Sequence, residues 1–279
     1  MSTIQALVIA ILQGATELFP VSSLGHAVVL PAILHWGINQ RSAEFLPFLV
    51  MLHLGTAIAL LAYFWQDWWM ILTGVIGIGD RHQVSESRRV FLLVVIATIP
   101  AVIVGFTLEK LVRGLFGSPV IAAGFLLLNG FLLLFGEFLR GRGSAERPAS
   151  TLTKMDALVI GCMQCLALVP GISRSGATIV GGLLRGISHE GSAHFSFLIA
   201  TPIILGATVL EVPKLLHQGL TEGVFIQSSI AALVAGLTAL LSTMFLMRYF
   251  RHHDSWALNP FAYYCIVAGA GSLGALYLL

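Results

Sequence analysis

The chain has 279 residues, of which 57% are apolar and 10% charged, with a formal net charge of +2. Soluble domains carry about 25% charged residues, so this composition, with a mean hydropathy of +0.91, excludes an ordinary soluble domain. The small net charge gives no reason to expect a nucleic-acid partner. Long apolar runs in place of alternating ten-residue segments exclude a β-barrel and predict an all-α polytopic membrane protein.

No basic segment or small-residue cleavage site follows Met1, so a cleaved signal peptide is not expected. The first apolar stretch, 4–34, is interrupted at "FPVSSLG". The arm before the break is about 15 residues, or ~22 Å, short of the ~30 Å hydrocarbon core. Broken backbone is tolerated at membrane depth only inside protein or a watery cavity, so this stretch reads as a re-entrant helix–loop–helix hairpin. Spans are predicted at 45–65, 90–109 and 120–139. Trp65, Trp68 and Trp69 at one span end suit an aromatic belt, and "GVIGIG" (74–79) follows no strand and reads as a helix end. A polar linker, 141–154, precedes a second broken stretch, 155–185, interrupted at "VPGISRSG". Further spans are predicted at 193–212, 225–247 and 260–279. Glu109, Glu137 and Glu211 fall near span ends and are expected at the interface, and His252 and His253 are expected in solvent. Cys162, Cys165 and Cys265 are read as small apolar filler rather than a redox pair.

The two breaks resemble one another. "QGATELFPVSSLG" (13–25) and "QCLALVPGISRSG" (164–176) share Gln, Pro and a Ser-rich turn ending in Gly, and "ATIPAVIVGFTLEK" (97–110) matches "ATPIILGATVLEVPK" (200–214). The chain therefore reads as one membrane domain of two repeats, 1–140 and 155–279, each a hairpin followed by three spans. An odd number of spans inverts the second repeat, and paired interruptions in inverted halves point to a midplane site. Arg81, Arg88, Arg89, Arg140, Arg142, Arg147, Lys154, Arg185, Arg248 and Arg251 fall on one side, against Arg41, Lys110, Arg113 and Lys214 on the other. The positive-inside rule makes the first side cytoplasmic.

Glu17, His26 and Arg174 are ionisable groups inside the broken stretches. Intramembrane charge costs about 2.5–3.5 kcal/mol on insertion scales. A buried ion pair locking the tips is one reading of Glu17 and Arg174. The hydroxyls beside them suggest more. Ser22 and Ser23 at one tip, with Ser173, Ser175 and Thr178 at the other, flank helix starts, where N–H groups and the dipole suit an anion. Gly171 and Gly176 permit close backbone approach, and the Arg174 fork suits phosphate oxygens. Gln13 and Glu17, four apart, share a helix face and with phosphate oxygens would hold a hard divalent cation, although Gln13 equally suits a helix–helix hydrogen bond. His26 would serve as base to Ser23 or attack phosphorus itself.

"QGATELFPVSSLGH" and "PGISRSGAT" resemble the E/Q-x-x-x-E and P-G-x-S-R-S-x-x-T motifs of the undecaprenyl-diphosphate phosphatases, also called bacitracin-resistance proteins. The resemblance covers essentially the whole chain. It implies an inner-membrane enzyme that removes one phosphate from undecaprenyl diphosphate, depends on Mg²⁺ or Ca²⁺, and is often dimeric. Its acidic pair falls on Gln13 and Glu17, its serines on Ser22 and Ser23, its histidine on His26, and its phosphate motif on Ser173, Arg174, Ser175 and Thr178. Gln13 replaces the Glu of many members, leaving a metal mainly to Glu17. Ser23, His26 and water all stand as nucleophiles. The rival reading is a transporter or flippase for an anion or polyprenyl phosphate, because discontinuous helices in inverted repeats also build transporters.

Overall fold

The computed structural model describes residues 1–38, 45–108, 114–115, 117–140, 147–217, 222–253 and 255–278. Among them run α1 (Thr3–Thr16), α2 (Ser23–Ile33), α3 (Phe45–Tyr63), α4 (Trp65–Val75), α5 (Arg81–Thr107) and α6 (Pro119–Arg140). After the linker come α7 (Lys154–Gln164), α8 (Arg174–Leu184), α9 (His189–His217), α10 (Glu222–His252) and α11 (Asn259–Leu278). Arg41, Glu109, Lys110, Arg113 and Arg142 lie outside the described residues, and the Glu211 and Lys214 side chains are likewise undescribed.

Local sequence explains where the hairpins begin. Ser2 accepts from the Gln5 N–H while Gln5 Oε1 accepts from the Ser2 N–H at 2.8 Å. Thr153 and Asp156 do the same ahead of α7. Each hairpin therefore opens on a capping box, which satisfies the first orphan N–H groups. The arms α1, α2, α7 and α8 have only 14, 11, 11 and 11 residues, too short to span. "GVIGIG" is a helix end, as expected: α4 stops at Val75.

Among the described residues, five single helices are long and apolar enough to cross a membrane, namely α5, α6, α9, α10 and α11. The expected span 45–65 proves more complicated, because α3 bends by 77° at Phe64 into α4. Neither Gly nor Pro marks the break. It is held by packing: Phe64 is buried, with its ring edge on Tyr63 and His194 at centroid distances of 4.8 and 5.1 Å. Trp65 and Trp69 on α4 are exposed, as a belt requires, whereas Trp68 packs inward. The span expected at 90–109 starts nine residues earlier, at Arg81, where Asp80 caps α5 by accepting from Gln83 N–H at 2.8 Å. Capping, not hydrophobicity, sets that end.

Small residues bring the long helices together, as in other membrane bundles. A Cβ on Gly55 of α3 would stand 2.0 Å from the Ala232 carbonyl of α10, and one on Gly130 of α6 would stand 2.7 Å from the Ala262 carbonyl of α11.

The hairpins enter from opposite ends, which α10 reveals. Near its start, Gln227 Nε2 donates to the Met1 carbonyl at 3.5 Å, and near its end Arg251 pairs with Glu190 at 2.9 Å. The intervening 24 residues rise about 36 Å. Arg251 thus marks the end where α8 passes into α9, and Met1 marks the other. At the Arg251 end the basic residues join neighbouring segments. Arg89 donates to the Ser150 and Leu152 carbonyls, Arg147 donates to the Arg185 carbonyl, and Arg140 contacts His189. Glu137 corrects an expectation here. It is 2% exposed, not interfacial, and its carboxylate receives the Leu258 N–H at 2.6 Å and His189 at 2.8 Å. Two such donors satisfy a carboxylate whose burial would otherwise be costly.

Candidate active site

Both hairpin tips are serine-capped helix starts. Ser22 Oγ accepts from Gly25 N–H at 3.2 Å, and Ser173 Oγ from Gly176 N–H at 3.1 Å. Ser22 does so at a φ of 66°, a left-handed conformation costing a non-glycine residue about 1–3 kcal/mol. The surrounding tip holds it there. Gly171 has a φ of 104°, and a Cβ on it would stand 2.3 Å from the Ala122 carbonyl, so no other residue fits. A Cβ on Gly25 would lie 3.1 Å from Gly171 Cα, so the tips are in contact.

Glu17, just past the end of α1, stands where the two helix starts converge. Its Oε2 accepts from Ser23 Oγ at 2.6 Å and from Gln13 Nε2 at 3.0 Å, and its Oε1 accepts from Arg174 Nη2 at 3.2 Å. Glu17 is 8% exposed. Ser23 is the first residue of α2 and Arg174 the first of α8, so one carboxylate bridges matching positions of both hairpins. Charge-assisted bonds of this kind are the strong ones, and a buried charge needs them. Two polar atoms in this web remain buried without a partner: Gln13 Oε1 and Arg174 Nη1.

The tips are locked by other groups. Asn129 of α6 donates to the Pro20 carbonyl and accepts from Ser173 N–H, both at 2.9 Å. Ser175 Oγ and Ser173 Oγ donate to the Phe19 carbonyl at 3.0 and 3.3 Å. These hydroxyls, expected to face a substrate, satisfy the backbone that the first break leaves open. Thr178 Oγ1 lies 2.6 Å from Ser196 Oγ and donates to the Arg174 carbonyl at 2.8 Å, tying α8 to α9.

The family described as bacitracin resistance protein BacA matches residues 6–271. The chain belongs to the bacitracin resistance protein family. Three relatives in it bear the name undecaprenyl-diphosphatase. That of Granulibacter bethesdensis is 66% identical over 99% of this chain and 98% of its own. That of Acidiphilium cryptum is 57% identical over 98% of each, and that of Gluconobacter oxydans 53% identical over 100% of each.

In this bacitracin resistance family member, His26 does not contact Ser23 as its base. Its Nδ1 lies 2.6 Å from the Ser22 carbonyl and its Nε2 lies 2.8 Å from the Tyr264 hydroxyl. A carbonyl only accepts, so Nδ1 donates. A neutral ring then accepts the Tyr264 O–H at Nε2. The rings stack at 5.6 Å. Ser23 is instead served by Glu17.

Three site residues escape a reading of the sequence: Asn129, Tyr264 and His53. His53 Nδ1 contacts the Leu49 carbonyl at 2.8 Å, and Nε2 lies 3.6 Å from Glu17 Oε2. For His53 the signal was present, since an ionisable residue inside a predicted span implies function. Asn129 and Tyr264 had no such signal. Cys162, Cys165 and Cys265, read from the sequence as filler rather than a redox pair, are all free thiols.

Proposed function

We propose that this chain is a membrane phosphatase that hydrolyses undecaprenyl diphosphate to undecaprenyl phosphate and inorganic phosphate, returning the lipid carrier to cell-wall synthesis. The observation that carries the reading is the Glu17 carboxylate held between the Ser23 hydroxyl and the Arg174 guanidinium. A nucleophile touching its base, beside a cation with a free N–H, is the arrangement that acyl and phosphoryl transfer to an enzyme group require. The relatives' shared name adds the substrate class.

The diphosphate docks with a terminal oxygen on Arg174 Nη1, which has no partner. Ser23 Oγ attacks the terminal phosphorus and its proton passes to Glu17 Oε2. The bond from that phosphorus to the bridging oxygen breaks, and undecaprenyl phosphate departs. Water then attacks the phosphoserine. The P–Oγ bond breaks, Ser23 recovers its proton from Glu17, and both hydrogens of the water leave with inorganic phosphate. Arg174 stabilises charge on the equatorial oxygens in both steps. His26, fixed by Ser22 and Tyr264, keeps the start of α2 in register.

A divalent cation fits the residues present. Gln13 Oε1 is a buried amide oxygen without a partner, one turn from Glu17. Amide and carboxylate oxygens are hard donors that suit Mg²⁺ or Ca²⁺ when substrate phosphates complete the shell. Gln13 and Glu17 would hold the ion, and when bound it neutralises charge on the diphosphate.

The positive-inside rule places the Arg251 end in the cytoplasm of a bacterial inner membrane. The hairpin bearing Glu17 and Ser23 then enters from the periplasmic side, to which the site opens. A transporter or flippase needs no serine against a carboxylate, and the relatives' name speaks for hydrolysis. Phosphate release from a polyprenyl diphosphate by purified protein in detergent, with and without chelator, separates the two, since detergent leaves no compartments. A terminally labelled substrate should leave its label on Ser23 after rapid quenching. Labelled enzyme at no time point would instead make water the nucleophile.

A further inference from the structure

His53 stands in an arrangement that hydrogen bonding alone does not complete. Its Nδ1, 2.8 Å from the Leu49 carbonyl, must carry the proton, because a carbonyl offers only lone pairs. In the neutral ring, Nε2 then presents a lone pair toward Glu17 Oε2 at 3.6 Å. Two lone-pair atoms then face each other across a gap too long for a hydrogen bond, whereas with the ring protonated the same contact is an ion pair. Backbone anchoring of the distal nitrogen is also how metal-bound histidines are oriented. Two ligands each ~2.1 Å from a metal stand about 3.4 Å apart at the tetrahedral angle and about 3.0 Å apart at the octahedral one, so the pair would close by a few tenths of an ångström on a shared ion.

Gln13 adds a third donor. Its Nε2 donates to Glu17 Oε2 at 3.0 Å, while its Oε1 is buried and unpartnered. Turning the amide over would exchange one N–H···O contact for an oxygen aimed at the same place. Among the described residues, no three His, Cys, Asp or Glu side chains converge to hold an ion alone. Phosphate oxygens must complete the shell.

We propose that His53, from α3, is a ligand of the divalent cation held by Glu17 and Gln13, and that this imidazole shifts the site from Mg²⁺ and Ca²⁺ toward nitrogen-preferring first-row transition ions, for which Mn²⁺ serves as a spectroscopic probe. Imidazole suits iron, nickel, copper and zinc ions, whereas carboxylate, carbonyl and water shells suit Mg²⁺, Ca²⁺ and Mn²⁺. The inference rests on the phosphatase reading only for the phosphate that completes the shell. His53 is 29% exposed at its side chain.

The test uses full-length protein in detergent with Mn²⁺ and inorganic phosphate as probes. Pulsed electron paramagnetic resonance of bound Mn²⁺ should show nitrogen-14 coupling from one imidazole. His53→Gln should abolish that coupling and weaken Mn²⁺ binding about 10–100-fold, while Mg²⁺ binding changes less. Bound Mn²⁺ without nitrogen coupling, coupling that survives His53→Gln, or no bound Mn²⁺ would each overturn the assignment. The coupling is read on the parent protein, so a poorly folded variant does not rescue the idea. Phosphate release is measured on the same preparation. Release without coupling defeats the ligand assignment and leaves the phosphatase standing, and coupling without release does the reverse.

Discussion

Replacing Asn129 by Ala tests whether the tips must be locked for the site to work. Asn129 touches neither Glu17 nor Ser23, but its amide serves both tips, donating to the Pro20 carbonyl and accepting from Ser173 N–H at 2.9 Å each. Both partners are backbone groups freed by the breaks, and truncation leaves them unsatisfied in an apolar interior. Each such group costs about 1–3 kcal/mol, so Asn129→Ala should lose roughly 2–6 kcal/mol in the melting of the detergent-solubilised protein. The kinetic effect is separable. Glu17 belongs to one tip and Arg174 to the other, so slippage misplaces the carboxylate against the guanidinium. A shift of ~1 Å costs about 10²-fold in rate, and kcat should fall accordingly in the phosphate-release assay. Cys265→Ala is the control. Its sulfur makes only longer contacts with Asn129 and Pro20, at 3.3 and 3.8 Å, and it should cost about 1 kcal/mol from lost packing, with turnover preserved. Near-parental turnover and melting in Asn129→Ala would refute the idea that backbone satisfaction holds the site.

Glu17→Ala and Arg174→Ala should each lower phosphate release by about 10²–10³-fold, and Arg174→Lys should rescue little, since a point charge cannot hold Glu17 and a phosphate oxygen together. Ser175→Ala should leave KM within about two-fold and lower stability by about 1 kcal/mol, because its hydroxyl donates to Phe19; a large rise in KM would return Ser175 to the substrate. Cys162→Ser with Cys165→Ser should leave activity unchanged with or without reductant, as both thiols are free. Burial would raise the carboxyl pKa of Asp156, at the mouth of the second hairpin, but Thr153, Arg185 and Arg147 outweigh it and hold it down at about 2. A carboxylate depressed on folding stabilises above its unfolded pKa and loses that contribution as pH falls through the folded one. Asp156→Asn should therefore cost about 2 kcal/mol near neutrality, and its melting gap from the parent should narrow as pH is lowered from 5 toward 2.

What the sequence made legible is what local chemistry decides. The interrupted apolar stretches foretold hairpins, while the capping boxes of Ser2 with Gln5 and Thr153 with Asp156 that open them emerged with the structure. The break at Phe64 was not readable, because it comes from burial of that ring against His194 and Phe197, far along the chain. The hydroxyls at the tips lie together as the sequence groups them, but two of them bond the backbone of the other tip. Composition marks Ser173 and Ser175 as donors, and only the fold shows that Phe19 takes them. Glu137 was misplaced for the same reason, since its partners His189 and Leu258 N–H arrive from the second half.

The residues of the proposed site stand where the two hairpin sequences stop matching. At equal spacing, Gln13, Ser22 and Gly25 stand against Gln164, Ser173 and Gly176. Both serines cap, and both glycines supply the capped N–H. That shared scaffold alone would give two equivalent tips and no polarity of function. The departures supply it. Glu17 faces Leu168 in the alignment, and Ser23 faces Arg174. One half therefore contributes carboxylate and hydroxyl, the other a guanidinium, and all three meet because Ser23 and Arg174 occupy the same first helical position on opposite hairpins. A second carboxylate at 168 would repel Glu17 and compete for Arg174, and a second arginine at 23 would remove the hydroxyl. Hydroxyl, carboxylate and guanidinium are the groups the proposed phosphoryl transfer would use, and they come together because the two stretches agree in their caps and differ in their charges.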